Sequence, residues 1–372
     1  MKCILFLIGD LGLGGQERQL FYLLNNIDLK KFDPILIVWD FSPKDFYYKK
    51  LKGKFKIIGF DPKWNSLRKY IKVIIIAFKY SPKIIQSFSD YLNLASYIAS
   101  KFSKDCIVVG CLRTLFRSVY DKGNSNFYKC LKYDLLDVLV SNNSTGLEQI
   151  KKHFPHSKID FYHIPNCLEM EKSRPRKVYE KKEFVGITIG RFVTSKRFDL
   201  LLQLVKNIKN KGYNYKHIII GYSEILSGNQ IGSGINNWFT KDSLIRLIKK
   251  NNLENFIDIL DRDDVINKLY DADFLVQTSE LEGMPNVVME AMVSSLPVIA
   301  FDIGDTNSLV KNGETGYLVK QGDMENMTNS VERLLNNPEL LKKFSINSIL
   351  FAKKNFKISK YVSRYEQLYL SF

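Results

Sequence analysis

The chain has 372 residues, 45% of them hydrophobic and 25% charged, which fits a globular protein, excludes an intrinsically disordered one and exceeds what one core usually supports, so two domains are expected. Its 55 Lys and Arg against 39 Asp and Glu give a net charge of +16, with residues 1–170 holding 26 cations against 15 acids and residues 171–372 holding 29 against 24. Such an excess suits nucleic acid, an anionic membrane or a phosphorylated small molecule, and a lysine-rich genome would also produce it.

The opening KCILFLIGD has an apolar run too short for a signal-peptide core and is cut by Gly9-Asp10, so it reads as a buried first strand. Further short apolar runs follow at ILIVW (35–39), IIGF (57–60), CIVVG (106–110), DVLVS (137–141) and FYHIP (161–165). With helix-like stretches between them they predict a doubly wound, Rossmann-like α/β domain over residues 1–168. After the first strand, Gly12-Leu-Gly14-Gly15-Gln-Glu17-Arg18 invites a dinucleotide reading, with Asp40 as the ribose ligand. The spacing fails, because the third glycine of GxGxxG would fall at Glu17.

Residues 62–83 read as a helix on which Leu67, Ile71, Ile74, Ile75 and Phe78 share one face and Arg68, Lys72 and Lys79 a neighbouring one. Two readings stand: a helix lying in an anionic membrane interface, and an ordinary sheet-covering helix with a solvated basic edge. Elsewhere no run reaches the roughly 20 apolar residues that span a bilayer. The five cysteines, Cys3, Cys106, Cys111, Cys130 and Cys167, show no metal-ligand spacing, so a reduced, cytoplasmic protein with no metal or other cofactor is expected. No nucleic-acid recognition motif is present. His153, His156, His163 and His217 have no evident partners and are expected to be structural or at the surface.

The charge-rich segment 168–183 reads as a linker. A second alternation then begins: FVGITIG (184–190), HIIIG (217–221), FIDIL (256–260), ADFLVQ (272–277), PVIAF (297–301) and GYLV (316–319). It predicts a second α/β domain over 169–357. Residues 223–238 read as a surface loop, and 358–372, with Tyr361, Tyr365, Leu368 and Tyr369 at helical spacing, as an amphipathic closing helix expected to pack on the first domain. Ligands of such sheets gather outside the carboxyl ends of the strands, which places a site in a cleft between the two domains.

Two constellations carry chemistry. In Gly190-Arg191-Phe-Val-Thr-Ser-Lys196-Arg197-Phe-Asp199, Arg191 and Lys196 fall in a strand-to-helix loop. Fixed cations there would stabilise the charge that develops on a departing diphosphate. In Glu282-Gly-Met-Pro-Asn-Val-Val-Met-Glu290, Glu282 lies on a loop after a strand and Glu290 one turn into the next helix. Carboxylates accept paired hydroxyls of a sugar, and the neighbouring N–H groups suit a phosphate. Either acid alone would read as a helix-dipole partner.

These segments, with ADFLVQTSELEGMPNVVMEAM and LPVIAFDIGDTNSLVKNGETGYLV around them, resemble the retaining glycosyltransferases of family 4. The resemblance implies the GT-B fold, with two Rossmann-like domains facing across a cleft. It also implies metal-independent transfer of a hexosyl group from a nucleotide-sugar, with a UDP-sugar the expected donor, to a glycan or polyprenyl-linked acceptor, as in capsule or lipopolysaccharide synthesis. Glu290 would bind the donor ribose and Glu282 the transferred sugar, while Arg191 and Lys196 would hold the diphosphate. Gly283, Met284, Asn286 and Val287 would line the donor site with Gly14 and Gly15. Ile164-Pro165-Asn166 resembles the family's hinge segment, and Asn166 with Arg113 would lie on the acceptor side. Two departures stand out: Arg197 replaces the Gly that usually follows the Lys, and Gly110-Cys-Leu-Arg113-Thr has no His where many relatives carry one. A GT-B nucleotide-sugar epimerase and a non-catalytic nucleotide-sugar-binding subunit are the alternatives.

Overall fold

Buried runs of Ile, Val, Leu and Phe become parallel strands in both halves of the chain. The computed structural model describes residues 1–113, 116, 125–170, 183–222, 240–261 and 265–372, so the expected loop at 223–238 and most of the linker lie outside the described residues. The chain divides into a unit of Met1–Cys167 with Lys357–Phe372 and a unit of Leu168–Phe356.

In the first unit the strands are β1 (Lys2–Ile8), β2 (Phe32–Val38), β3 (Lys56–Gly59), β4 (Ile84–Ser87), β5 (Ile107–Leu112), β6 (Val138–Ser141) and β7 (Asp160–His163). They lie in the order β3-β2-β1-β4-β5-β6-β7, every pair parallel. β4, absent from the sequence reading, sits beside β1 at the point where the strand order reverses. Its four residues IIQS are too short and too polar at their end to stand out from the preceding helix.

Each face of this sheet has its own cover, as parallel sheets require. Leu5, Leu7, Ile35, Ile37 and Ile85 pack with Val73, Ile76 and Ala77 of the helix Ser66–Tyr80 and with Ala95 and Ala99 of the helix Asn93–Ser100. The C-terminal helix Ile358–Leu370 buries Tyr361, Tyr365, Leu368 and Tyr369. Tyr369 meets Phe6 and Phe32 edge-on at 6.2 and 5.7 Å, and Tyr365 stacks on Phe88 at 6.0 Å. Polar ties fix its register: Arg113 Nη2 donates to the Tyr365 hydroxyl at 2.9 Å, and the Asp28 N–H donates to Glu366 at 2.8 Å.

The second unit holds β8 (Phe184–Arg191), β9 (Tyr215–Tyr222), β10 (Ile257–Leu260), β11 (Phe274–Gln277), β12 (Val298–Phe301) and β13 (Gly316–Val319). Their order is β10-β9-β8-β11-β12-β13, again parallel throughout. At its centre a buried polar chain crosses three strands. The Tyr215 hydroxyl lies 2.6 Å from His217 Nδ1, Nε2 lies 2.9 Å from Thr188 Oγ1, and the Thr188 hydroxyl donates to the Val276 carbonyl at 2.8 Å. Each donor finds an acceptor only with a neutral imidazole protonated at Nε2. Gly186 makes the room: a Cβ there would stand 2.2 Å from the Tyr215 hydroxyl and 2.7 Å from Nδ1. Thus His217, expected to lack partners, has two.

Burial pushes the His217 imidazole down to about 3, well below the ordinary 6.5. A base whose folded pKa is lowered contributes its full stability above its unfolded value and loses it as the pH falls from there toward the folded one. Denaturant unfolding should therefore show a loss approaching about 1.4 kcal/mol per pH unit below about pH 6.5 from this group, absent in His217→Gln. Parallel slopes for the two proteins would contradict it. In the first unit, Tyr365→Phe strands the Arg113 donor and should cost about 1–3 kcal/mol in the same assay.

Candidate active site

The chemistry-bearing residues of the second unit come from two loops at the carboxyl ends of neighbouring strands. β8 ends at Arg191, a 3-10 turn covers Thr194–Lys196, and the helix Phe198–Asn210 follows. β11 ends at Gln277, and after the 278–285 segment the helix Asn286–Val293 begins behind Pro285. The loops are tied together: the Glu280 N–H donates to the Ser195 carbonyl at 2.8 Å, and the Thr278 hydroxyl reaches the Lys196 and Arg197 carbonyls at 3.1 and 3.2 Å.

Across this junction Lys196 Nζ meets Glu282 Oε1 at 2.5 Å, with both side chains largely buried. Gln277 Nε2 donates to the same Glu282 oxygen at 2.9 Å. The lysine stem packs over Gly190, where a Cβ would stand 3.3 Å from Lys196 Cε. Thr188, Gly190, Lys196, Gln277, Thr278 and Val287 are among the residues lining a small hollow at this edge of the sheet. A cation, an acid, an amide and a hydroxyl therefore converge beside a bare glycine backbone. Such a site can grip an oxyanion and a polyhydroxylated group together.

The rest of the acidic loop is held by its neighbours. Gly304, at φ +52, lies against it so closely that a Cβ would stand 2.0 Å from the Glu282 carbonyl oxygen, and the Asp305 N–H donates to the Gly283 carbonyl at 3.1 Å. Met284 is buried, Asn286 is the first residue of the helix and Glu290 lies one turn along it, partly buried. Arg191 is exposed at the strand's end. The geometry joins Lys196 to Glu282 directly and puts Val287 in the same hollow. Gln277 was missed by sequence reasoning, where it served only as the end of a strand.

Arg197, the departure from the family pattern, sits at φ +49 and ψ +51. This is the left-handed region that glycine occupies freely and other residues enter at a cost of about 1–2 kcal/mol. Its guanidinium spans Asp199, at 2.7 to 3.2 Å, and Glu280, at 3.4 Å. An ionic clasp thus stands where a glycine would relax the backbone.

In the first unit, Gly14 caps the helix Gly15–Asn26 in extended conformation, and a Cβ on it would stand 1.8 Å from the Glu17 carboxylate. Arg113 is engaged with the C-terminal helix and with Asn166 Oδ1 at 3.4 Å, and Asn142 Nδ2 donates to that oxygen at 3.2 Å. Gln19 clasps the backbone of Cys167 through two 2.9 Å bonds. Asp40, set aside as a ribose ligand, pairs with Lys69 at 2.5 Å.

Two parallel α/β sheets, the second with a cation and an acid paired at its carboxyl edge, give the chain the GT-B fold. The glycosyl transferases group 1 model matches residues 169–350, nearly the whole of the second unit. The capsular polysaccharide biosynthesis glycosyltransferase CapM of Staphylococcus aureus is 25% identical over 325 residues, 83% of this chain and 82% of CapM. The UDP-Gal:alpha-D-GlcNAc-diphosphoundecaprenol alpha-1,3-galactosyltransferase of Escherichia coli is 25% identical over 359 residues, 93% of this chain and 88% of that enzyme. Among solved structures, Anabaena Alr3699/HepE in complex with UDP and glucose superposes with a TM-score of 0.79 at 18% identity, covering 100% of both chains.

If the Arg197 clasp offsets backbone strain, Arg197→Ala keeps the strain and loses the clasp, whereas Arg197→Gly loses both. The glycine variant should then be the more stable of the two by about 1 kcal/mol in thermal unfolding. The opposite order would show that the backbone is not strained.

Proposed function

We propose that the protein transfers a glycosyl group, with retention of anomeric configuration and without a metal ion, from a UDP-sugar to a glycan or polyprenyl-linked acceptor in cell-surface polysaccharide synthesis. The observation that carries this reading is the Lys196–Glu282 pair, held with Gln277 beside the Gly190 backbone. Support for the pathway comes from CapM, named for capsular polysaccharide, and from the Escherichia coli enzyme, named for a UDP-sugar and a diphosphoundecaprenol-linked sugar.

In the reaction the bond from the anomeric carbon to the diphosphate oxygen breaks and the bond to the acceptor oxygen forms on the same face. The acceptor proton passes to the departing phosphate oxygen, so no protein base is required. Charge builds on the nucleoside diphosphate as it leaves, and Lys196 with Arg191 stabilises it. Glu282 holds the Lys196 ammonium in place before donor arrives. Once a phosphate takes that ammonium, the carboxylate and the Gln277 amide are released to the hydroxyls of the sugar. Glu290 orients the ribose, with Gly283, Met284, Asn286 and Val287 beside it.

A thermal-shift panel tests the donor: UDP and UDP-sugars should raise the melting temperature, whereas GDP and NAD should not. Lys196→Ala and Glu290→Ala should each lower turnover by at least about a hundredfold while the fold, read by circular dichroism, stays intact. Near-normal turnover in either variant would overturn the site.

A further inference from the structure

The helix Ser66–Tyr80 has one face on the sheet and another that is exposed among the described residues. Val73, Ile76 and Ala77 are buried in the first unit's core. Lys69, on the same inner face, pairs with Asp40. The outward stripe at i, i+4, i+8 and i+11 is apolar: Leu67, Ile71, Ile75 and Phe78 are 70%, 50%, 52% and 74% exposed. A solvated helix of a globular protein carries polar residues there, so this face is reversed in sense.

Cations border the stripe. Arg68, Lys72 and Lys79 are exposed along the adjoining edge, with Lys63 before the helix and Lys83 after it, and residues 62–83 contain no Asp or Glu. The Arg68 guanidinium lies 4.1 Å from the Trp64 ring centroid, which pairs a cation with the aromatic at the helix's entry. At the other end the Ser103 hydroxyl donates to the Ala77 carbonyl at 3.1 Å. That bond brings up a turn carrying exposed Phe102, Lys101 and Lys104, with Asp105 as its one acid.

We propose that this face is a membrane-docking surface, in which Leu67, Ile71, Ile75 and Phe78 enter the interface of an anionic bilayer while Lys63, Arg68, Lys72, Lys79 and Lys83 bind its headgroups. Apolar burial and cation attraction together are the two signals that stable interfacial binding needs. Charge argues against a second copy as the occupant. Pairing two such helices stripe to stripe would bring cation-rich edges together with no carboxylate of either helix to separate them.

The inference is independent of the donor reading, because the assay contains neither nucleotide nor acceptor. Full-length protein is floated with vesicles of phosphatidylcholine containing about 30 mol % phosphatidylglycerol, at about 0.15 M salt, and with vesicles of phosphatidylcholine alone. It should float with the anionic vesicles only, and less as salt rises. Leu67→Ser, Ile71→Ser, Ile75→Ser and Phe78→Ser combined should cut partitioning by roughly tenfold or more. Each substitution among Lys63→Gln, Arg68→Gln and Lys72→Gln should cut it roughly fivefold. Leu29→Ser with Phe46→Ser, exposed apolar residues elsewhere in the unit, should leave it unchanged. Failure of the unmodified protein to float would overturn the proposal by itself. So would flotation that survives the fourfold serine variant, or a dimer in sedimentation that this variant dissolves.

Discussion

The second unit depends on the hydrogen-bonded chain from Tyr215 through His217 and Thr188 to the Val276 carbonyl. It joins β9, β8 and β11 from within, just beneath the loops that bear Lys196 and Glu282. Parallel strands held only by their ladders leave side chains free to choose rotamers. A buried polar chain with one solution fixes them, because any other arrangement strands a donor or acceptor where water cannot reach. Thr188 belongs both to this chain and to the lining of the hollow, so the scaffold and the site share a residue. Gly186 is as necessary as the polar groups, since any side chain there would occupy the Tyr215 and His217 positions.

On that base the Lys196–Glu282 pair is a poised arrangement. Removing two charges from water costs more than their attraction returns unless other polar groups help, and here Gln277 does so on the carboxylate side. A pair that is only moderately favourable can be exchanged: a diphosphate competes for the ammonium with a stronger, multiply charged set of acceptors. The Gly304 backbone against Glu282 and the Asp305 bond to Gly283 keep the acidic loop in position through such an exchange.

Long apolar runs made most strands legible in the sequence. FVGITIG and PVIAF can only be buried, and the six strand runs read in the second half match the six strands of its sheet. β4 escaped because its four residues, IIQS, are no longer than a helix end, and only the neighbouring β1 makes them a strand. In the site, Glu282 and Lys196 were legible because each lies on a loop after a strand, in a segment that pairs it with a second residue of the same charge, Glu290 or Arg191. Gln277 and His217 were not, since a glutamine or histidine acquires its meaning from partners far away in sequence: His217 lies 29 residues from Thr188. The glycine expected after Lys196 shows the reverse case. Its replacement by Arg197 was visible in the text, yet only the backbone angle of +49° shows what the glycine would have done.

The charge asymmetry of the chain follows the same division of labour. Residues 171–372 hold 29 cations against 24 acids, and several of those cations are neutralised in place, Lys196 by Glu282, Arg197 by Asp199 and Lys211 by Glu332. In residues 1–170 the excess is larger, 26 against 15, and residues 62–83, which contain the helix Ser66–Tyr80, carry cations and no acid, Asp61 standing just before them. A lysine-rich genome would scatter cations over both halves and over all faces. It would not set four exposed apolar side chains at helical spacing beside them, because exposed Leu, Ile and Phe in a row offer a soluble protein nothing and invite aggregation. Composition alone therefore accounts for the number of lysines but not for their arrangement.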